Sequence, residues 1–506
     1  MHQTYAIAPE RVAALQAQMT YSNSEVQRAE AAFLARYPVY KTTQRLDDLR
    51  RTDYHRLDDL SQVYLDYTGG GLYADSQIKQ HMTMLMSGVY GNPHSGNPTS
   101  LATTKLDEQA RRYVFEFFNA DPDDYAVIFT PNASGALRIV GESYPFEENG
   151  QYLLTFDNHN SVNGIREFAR NKGATVTYVP VIPPDLRIEE KVLQGHLDKA
   201  LPNGNNLFAF PAQSNFSGVQ HHLHWIDYAH DKGWDVLLDA AAFAPTNRLD
   251  INKWQPDFVA LSFYKIFGYP TGVGALIAQR SRLGKLRRPW FAGGTITVAS
   301  VQGNRHYLEE GEAAFEDGTI DYLNLPAVEI GLKHIQHIGI DMIHERVMAL
   351  TGYLLDELTQ LKHDNGSPLI KFYGPETCEA RGGTLAVNLY DSEQTIFDYR
   401  LVEGLANTVN ISLRTGCFCN PGAGELAMDI HEEELRACLQ DEERITFEQL
   451  VIAMTASGEH DAVGAVRISV GLVTNFRDVF HCVHFLKSFL NVKSDGLQFD
   501  DASSHV

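Results

Sequence analysis

Short apolar runs alternate with polar, helix-compatible stretches between residues 61 and 330, and this alternation is what most limits the possible folds. The runs read YAVIFT, QYLLTF, ATVTYVPV, NLFAFPA, WDVLLDA, DFVALSF and GVGALIA. Strands that alternate with helices form βαβ units, and strands covered on both faces are apolar throughout. The sequence therefore predicts an α/β fold with a large, mostly parallel sheet. Ligands of such sheets bind at the carboxyl ends of the strands.

Three further regions flank this predicted large domain. Residues 1–60 have helix-like spacing, with Ser24 as a candidate N-cap before EVQRAEAAFLARY, and they predict an N-terminal helical arm. A long helical pattern followed by strand-like runs predicts a smaller α+β domain over 331–495. Within it, the acidic stretch 425–461 is typical of a solvated helical insertion. We expect residues 496–506 to form a tail.

Charge and hydropathy exclude two classes of partner. The net charge of -22 opposes binding to a phosphate backbone, which needs a basic surface. No stretch approaches the ~20 consecutive apolar residues of a membrane helix, and the first residues lack a signal-peptide pattern. The five cysteines are too few for a disulfide framework in a chain of 506 residues. We therefore expect a cytoplasmic protein with reduced thiols and neither a nucleic-acid nor a membrane partner.

Lys265 is the single charged residue of the segment SFYKIFGYPTG. A lysine near a strand end commonly extends its amine to solvent while its stem covers apolar surface. In a dry pocket, however, its pKa would be lowered, and the neutral amine could bond covalently to an aldehyde cofactor. The second interpretation requires partners elsewhere in the chain.

Polar residues at other strand ends are candidates for these partners. Asp239 ends an apolar strand, where it could pair with a protonated pyridine nitrogen or cap the next helix. His159 could lie flat on an aromatic ring or be an ordinary loop histidine. Gln213 and Asn215 could contact ring substituents or serve only the turn that they occupy.

Ala133 and Ser134 follow the strand YAVIFT at the start of a predicted helix. Free amides at a helix N-terminus favour a phosphate group. Turns of small residues are common, so this signal is weak without the others.

A second group of reactive residues lies in the C-terminal half. Cys417 and Cys419 stand near Arg414 in SLRTGCFCNPGAG, where a thiolate could act as a nucleophile. The alternatives are two small apolar residues in a turn, or half of a zinc site. No second short-spaced Cys/His pair completes a zinc site, so we predict no metal. Arg467, on the strand GAVRISVG, could bind a substrate carboxylate or form a structural salt bridge.

Nine segments, in order from about residue 62 to 480, resemble one known family. They are YLDYTGGGLY, YGNPHSGNPTS, FPAQSNFSGV, LLDAAAFAPTNRLDI, SFYKIFGYPTGVGALI, FAGGTITVASV, AAFEDGTIDYLNLPAV, LRTGCFCNPGA and GAVRISVGLVTN. They resemble the aminotransferase-like part of the molybdenum cofactor sulfurase family, in the class V, cysteine desulfurase-like branch of fold-type I pyridoxal phosphate enzymes. The resemblance implies a seven-stranded large domain, a smaller C-terminal domain and pyridoxal 5'-phosphate as cofactor.

The resemblance also implies a role for each candidate residue. The residues that it places around the cofactor are Ala133, Ser134, His159, Gln213, Asn215, Asp239, Ser262, Tyr264, Lys265 and Thr295. It makes Lys265 the covalent attachment point and His159 the residue stacked on the ring. Thr295 matches a position that reaches the phosphate of the neighbouring subunit, which implies a homodimer. Tyr264 stands where bacterial desulfurases carry histidine.

The implied reaction converts L-cysteine to L-alanine. Arg467, with Arg414 as a second candidate, would bind the substrate carboxylate. Cys419 would carry the sulfur as a persulfide, with Cys417 as its companion in the motif. About 40 residues follow Arg467, so we expect a sulfur-acceptor protein or a cofactor-binding partner to be separate. The alternatives are a β-lyase or an aminotransferase acting on another amino acid, and a cofactor-free scaffold protein.

Overall fold

The structure is a computed structural model that describes residues 9–93, 95–438, 445–446, 449–450, 454 and 463–494. Its strands are β1 (Val63–Tyr64), β2 (Tyr125–Thr130), β3 (Gln151–Thr155), β4 (Thr175–Val179), β5 (Asn206–Pro211), β6 (Asp235–Asp239), β7 (Phe258–Ser262), β8 (Gly274–Gln279), β9 (Ile296–Ser300), β10 (Arg305–Leu308), β11 (Ile370–Phe372), β12 (Thr384–Leu389), β13 (Ile411–Ser412), β14 (Arg414–Gly416) and β15 (Ala465–Ser469).

Helices cover these strands and form the N-terminal region. They are α1 (Pro9–Gln18), α2 (Asn23–Arg36), α3 (Arg45–Asp53), α4 (Arg56–Asp59), α5 (Asp75–Ser87), α6 (Pro98–Phe117), α7 (Ala133–Ser143), α8 (Asn160–Asn163), α9 (Ile165–Asn171), α10 (Glu190–Leu197), α11 (Trp225–Asp231), α12 (Ile251–Trp254), α13 (Phe263–Phe267), α14 (Arg280–Leu283), α15 (Leu325–Ile338), α16 (Ile340–Thr359), α17 (Tyr399–Asn407), α18 (Pro421–Ala427), α19 (Glu432–Cys438) and α20 (Phe476–Lys487). Two short 3-10 helices span Pro38–Thr43 and Gly311–Phe315.

The seven predicted apolar runs form one seven-stranded sheet in the order β2-β8-β7-β6-β5-β3-β4. Only β8 runs antiparallel to its neighbours; the pairs among β3 to β7 are parallel. Every residue of β2, β5, β6 and β7 is buried, as expected for strands covered on both faces. The predicted α/β fold with a large, mostly parallel sheet is confirmed.

A second, antiparallel sheet with the order β11-β12-β15-β14 follows in the C-terminal half. The N-terminal helices pack against this half through α16 and α20. Arg346 of α16 is fully buried, and its guanidinium donates to the Thr43 hydroxyl at 2.7 Å and to the Asp47 carboxylate at 2.8 Å. The N-terminal region is therefore part of the packed structure.

One crossing of the chain is important for the site. Strand β1 pairs in parallel with β13, and Asp66, just beyond β1, bridges to Ser469 at the end of β15. This pairing carries Asp66 next to residues some 400 positions later in the chain.

Two of the predicted regions are covered only in part. Residues 496–506, and much of the stretch 425–461, lie outside the described residues; α19 falls within the part that is described. The domain boundaries stay a prediction. Across the described ranges, no helix has both the length and the apolar character that crossing a bilayer requires.

Candidate active site

A cavity of about 210 Å³ opens at the carboxyl ends of β2, β3, β5, β6 and β7. This is the edge where ligands of parallel sheets bind. The predicted cofactor-site residues that line it are Ala133, Ser134, His159, Gln213, Asn215, Asp239, Ser262, Tyr264 and Lys265. The structure therefore places nine of the ten predicted cofactor-site residues around one cavity, and Thr295 is the exception.

Lys265 lies in α13, directly after β7. Burial lowers the pKa of its amine; Asp239 opposes this effect, and the Arg467 charge adds to it. The result is a larger neutral fraction of amine at neutral pH than an exposed lysine has. A neutral amine is the form that attacks an aldehyde.

His159 and Asp239 are held by short local contacts. His159 caps α8, and its Nδ1 accepts the Ser161 amide at 3.1 Å, which leaves the ring proton of the neutral imidazole on Nε2. Burial lowers the pKa of His159, so the ring is neutral near pH 7. Asp239 is buried at the end of β6, and its Oδ1 accepts the Ala241 amide at 3.0 Å.

The start of α7 carries the hydroxyl and amide groups that could hold an anion. The Ser262 hydroxyl accepts the Ala133 amide at 2.9 Å, so its own proton is free to be donated. The hydroxyls of Ser134 and Ser161 lie 2.5 Å apart. Asn132 caps the helix by accepting the Gly135 amide at 3.0 Å. The positive end of the helix and three hydroxyls thus share one end of the cavity.

Gln213 and Asn215 are already engaged in protein contacts. The Gln213 side-chain oxygen accepts a hydrogen bond from Gln220 at 3.0 Å. The Asn215 side-chain nitrogen donates to the Phe418 carbonyl at 2.8 Å, and its oxygen accepts from Asn420 at 2.9 Å. Asn215 therefore faces the cysteine turn as well as the cavity.

The cavity and the chemistry of its lining fit pyridoxal phosphate. Asp239 could pair with a pyridine nitrogen, His159 supplies a flat neutral ring, and the start of α7 supplies donors for a phosphate. Lys265 supplies the amine for the aldehyde. Each group enters from a different strand end, so the fit does not depend on one local motif.

Arg467 and Arg414 share one carboxylate, that of Asp66. Arg467 donates to Asp66 Oδ1 at 2.9 Å, while Arg414 donates to Oδ2 at 2.7 and 3.0 Å. Arg467 also donates to the Asn215 carbonyl at 3.0 Å, and its Nε has no hydrogen-bond partner among the described residues. Two guanidinium charges against one carboxylate leave a net positive charge. The predicted salt bridge and a binding role for a substrate carboxylate are therefore compatible.

Neither arginine lines the cavity itself. Arg467 nevertheless lies within electrostatic reach of it, since its charge lowers the pKa of both His159 and Lys265. Asp66 is the residue that sequence reasoning missed. It stands in YLDYTGGGLY, and an acidic residue beside a glycine run is the signal that was present.

The cysteine turn lies between β14 and α18. Cys419 is exposed, whereas Cys417 is partly buried, and burial raises the pKa of the Cys417 thiol. Phe418 and Cys419 have φ of 55° and 54°, in the left-handed region. The Asn160 amide donates to the Cys419 carbonyl at 2.7 Å, which ties the turn to the residue beside His159. Within the described part of the chain, no cluster of three or more His, Cys, Asp or Glu side chains could hold a metal ion.

Comparison with known proteins identifies the family. The family model described as Aminotransferase class-V matches residues 63–480. The chain belongs to the class-V aminotransferase family. The molybdenum cofactor sulfurase of Solanum lycopersicum is 34% identical over 501 residues, which cover 93% of this class-V chain. The match covers 60% of that relative, so the chain spans about three fifths of the length of the Solanum lycopersicum protein.

Solved structures show the same fold. The apo cysteine desulfurase of Thermococcus onnurineus NA1 matches with a TM-score of 0.70 at 21% identity, covering 89% of this chain and 98% of that one. The cystine C-S lyase C-DES, in complex with its reaction product cysteine persulfide, matches with a TM-score of 0.63 at 19% identity, covering 85% and 98%. Proteins with this fold thus include both desulfurase and lyase chemistry.

Thr295 lies away from the cavity of its own class-V chain. Its hydroxyl donates to the Ala292 carbonyl and accepts the Ala292 amide, both at 2.9 Å. It precedes the hairpin formed by β9 and β10, whose Val298, Val301 and Tyr307 are exposed. Thr295 is fully buried, and its role as a phosphate contact stays a prediction.

Proposed function

We propose that this chain is a pyridoxal phosphate-dependent cysteine desulfurase that converts L-cysteine to L-alanine and collects the sulfur on Cys419. The observation that carries the proposal is the exposed Cys419, whose carbonyl is bonded to the Asn160 amide beside the lysine pocket. The likeness to proteins named molybdenum cofactor sulfurase supports the same chemistry.

The residues that would hold the cofactor are those of the cavity. Ser134 and Ser262 would donate to its phosphate, Asp239 would face its ring nitrogen, and His159 would stack on its ring. When bound, pyridoxal phosphate supplies an aldehyde for the lysine amine and a ring that withdraws electrons from the substrate α-carbon.

The protein groups then have separate tasks. Arg467 binds the carboxylate of L-cysteine and so orients the substrate. The Lys265 amine, whose neutral fraction is increased because burial lowers its pKa, takes the proton from the α-carbon and later returns one.

The thiolate of Cys419 receives the sulfur. It attacks the sulfur of the substrate, so that an S–S bond forms while the bond between the β-carbon and sulfur breaks. The β-carbon is reduced to the methyl group of alanine, and the two sulfur atoms are oxidised to the level of a persulfide. Cysteine plus the thiol thus gives alanine plus the persulfide, with no external oxidant.

Product analysis tests this assignment. Purified holoprotein with L-cysteine and a reductant should release alanine and sulfide, and Cys419→Ser should lower alanine release at least about tenfold. Release of pyruvate and ammonia instead would identify a β-lyase, the chemistry named for C-DES. A protein that stays colourless after pyridoxal phosphate is added would support the scaffold alternative. Lys265→Ala serves as the control without covalent attachment.

We further propose that the protein acts as a homodimer. Exposed apolar side chains stand near Thr295 in the sequence, among them Trp290, Phe291 and Val301. Clusters of exposed apolar side chains are typical of interfaces. Light scattering should give a mass near twice 56.6 kDa; a monomer at micromolar concentration would contradict the proposal.

The sulfur acceptor is proposed to be a separate protein or a molybdenum cofactor held by a partner, in agreement with the names of the relatives. Persulfide formation at the exposed Cys419 requires a free thiol. Cys378 is also exposed and forms no disulfide. Both fit the proposed cytoplasmic location, which is a reducing compartment.

A further inference from the structure

Asn420, the residue after Cys419, fastens the cysteine turn to the wall of the cavity. Its side chain is fully buried. The amide nitrogen donates to the Asp157 carbonyl at 2.7 Å and to Asn215 Oδ1 at 2.9 Å. The amide oxygen caps α18 by accepting the Ala423 amide at 3.3 Å. Both ends of one buried side chain are thus used.

The two residues before Asn420 are held by the same wall of the cavity, which consists of Asn215 and the segment 157–160. The Phe418 carbonyl accepts from the Asn215 side chain at 2.8 Å, and the Cys419 carbonyl accepts from the Asn160 amide at 2.7 Å. Phe418 and Cys419 both adopt left-handed backbone, which side-chain-bearing residues keep only where their surroundings enforce it. The hydrogen bonds from the wall are what enforces it here.

The same wall carries the arginine predicted for the substrate carboxylate. The Asn215 carbonyl accepts from Arg467 at 3.0 Å, and the Arg467 guanidinium lies 4.8 Å from the centre of the Phe418 ring. A continuous chain of contacts therefore runs from Arg467 through Asn215 to Asn420, and so to both sides of Cys419.

We propose that Asn420 is a positioning residue that fixes the Cys419 sulfur relative to the carboxylate-binding Arg467. The inference rests on the proposed function, because it concerns the nucleophile of that reaction. Attack on the substrate sulfur needs a defined approach of the thiolate, and a displacement of about 1 Å can lower a rate by two orders of magnitude. A turn with strained backbone changes conformation once the hydrogen bonds that hold it are removed.

The test compares Asn420→Asp with Asn365→Asp. Both substitutions replace an amide nitrogen that donates to a main-chain carbonyl, and both keep the acceptor oxygen; Asn365 does so in an exposed turn, donating to Ser392 at 2.6 Å and accepting from Ser367 at 3.0 Å. Asn420→Ser, which also keeps a helix cap, is the second variant should Asn420→Asp fold poorly.

Two measurements are made on each holoprotein. We expect kcat for alanine formation to fall about 10- to 100-fold in Asn420→Asp, with KM for L-cysteine within about threefold of wild type, and no change in Asn365→Asp. Hydrogen exchange should become faster at the Asn160 amide, the donor to Cys419, in the Asn420 variants alone.

The outcomes separate the inference from the function that it deepens. An unchanged kcat overturns the positioning role, and so does a lowered kcat with unchanged exchange at Asn160. If the wild type makes no alanine, the proposed function fails; the exchange measurement then still decides whether Asn420 holds the turn.

Discussion

Replacing Asp66 with asparagine removes the carboxylate that Arg467 and Arg414 share. The Arg467 and Asp66 side chains are 4% and 10% exposed, and breaking such a buried pair by removing one partner costs about 3–5 kcal/mol. The pair with Arg414, whose side chain is 52% exposed, adds at most about 1 kcal/mol. Asparagine keeps one acceptor oxygen, so we expect the free energy of unfolding to fall by about 3 kcal/mol.

Urea unfolding measures this loss, with Asp48→Asn as the matched control. Asp48 pairs with Arg51 at the surface, where the two side chains are 60% and 68% exposed, and its loss should cost under about 1 kcal/mol. KM for L-cysteine should rise in Asp66→Asn alone, because Arg467 loses the group that orients it. A loss no larger than that of Asp48→Asn would refute the reasoning.

Two further predictions concern titration. The apoprotein is mixed with pyridoxal phosphate, the product is trapped with borohydride, and labelling of Lys265 is measured by mass spectrometry. Labelling should rise with pH to a midpoint below 10.5, because burial lowers the pKa of this amine. A midpoint at or above 10.5 would contradict the prediction. Burial raises the pKa of Asp107 to about 7, and neither carboxyl oxygen has a hydrogen-bond partner among the described residues. The stability that the protonated form of Asp107 contributes is fully present below the unfolded pKa of 3.8 and is lost as pH rises through about 7. Asp107→Asn should therefore raise Tm at about pH 8 and leave Tm unchanged at about pH 3. An equal shift of Tm at both pH values would be inconsistent with this account.

The large sheet was predictable because its signal is local. A strand covered on both faces is apolar at nearly every position, so β2, β5, β6 and β7 can each be found from their own residues. The strand ends follow at once, which is why Asp239, His159 and Lys265 could be assigned to one edge. Their tasks in the reaction stay a prediction.

The C-terminal side of the site could not be predicted in the same way. Asp66 meets Arg467 through pairing between segments about 400 residues apart, and no local pattern encodes such a contact. Asn420 looks like a simple turn residue until the wall that it bonds to is known. Even a local detail differed: α2 begins at Asn23 and is capped by Ser22 rather than Ser24, because Ser22 and Glu25 form a reciprocal pair of hydrogen bonds.

The location of the transferred sulfur tests the central claim most directly. Holoprotein is given L-cysteine without a reductant or an acceptor, and the peptide that contains Cys417 and Cys419 is analysed by mass spectrometry. We predict one extra sulfur atom on Cys419, one alanine released for each persulfide formed, and neither in Lys265→Ala. Extra sulfur on Cys417 alone, or alanine release with no persulfide on the protein, would contradict the account.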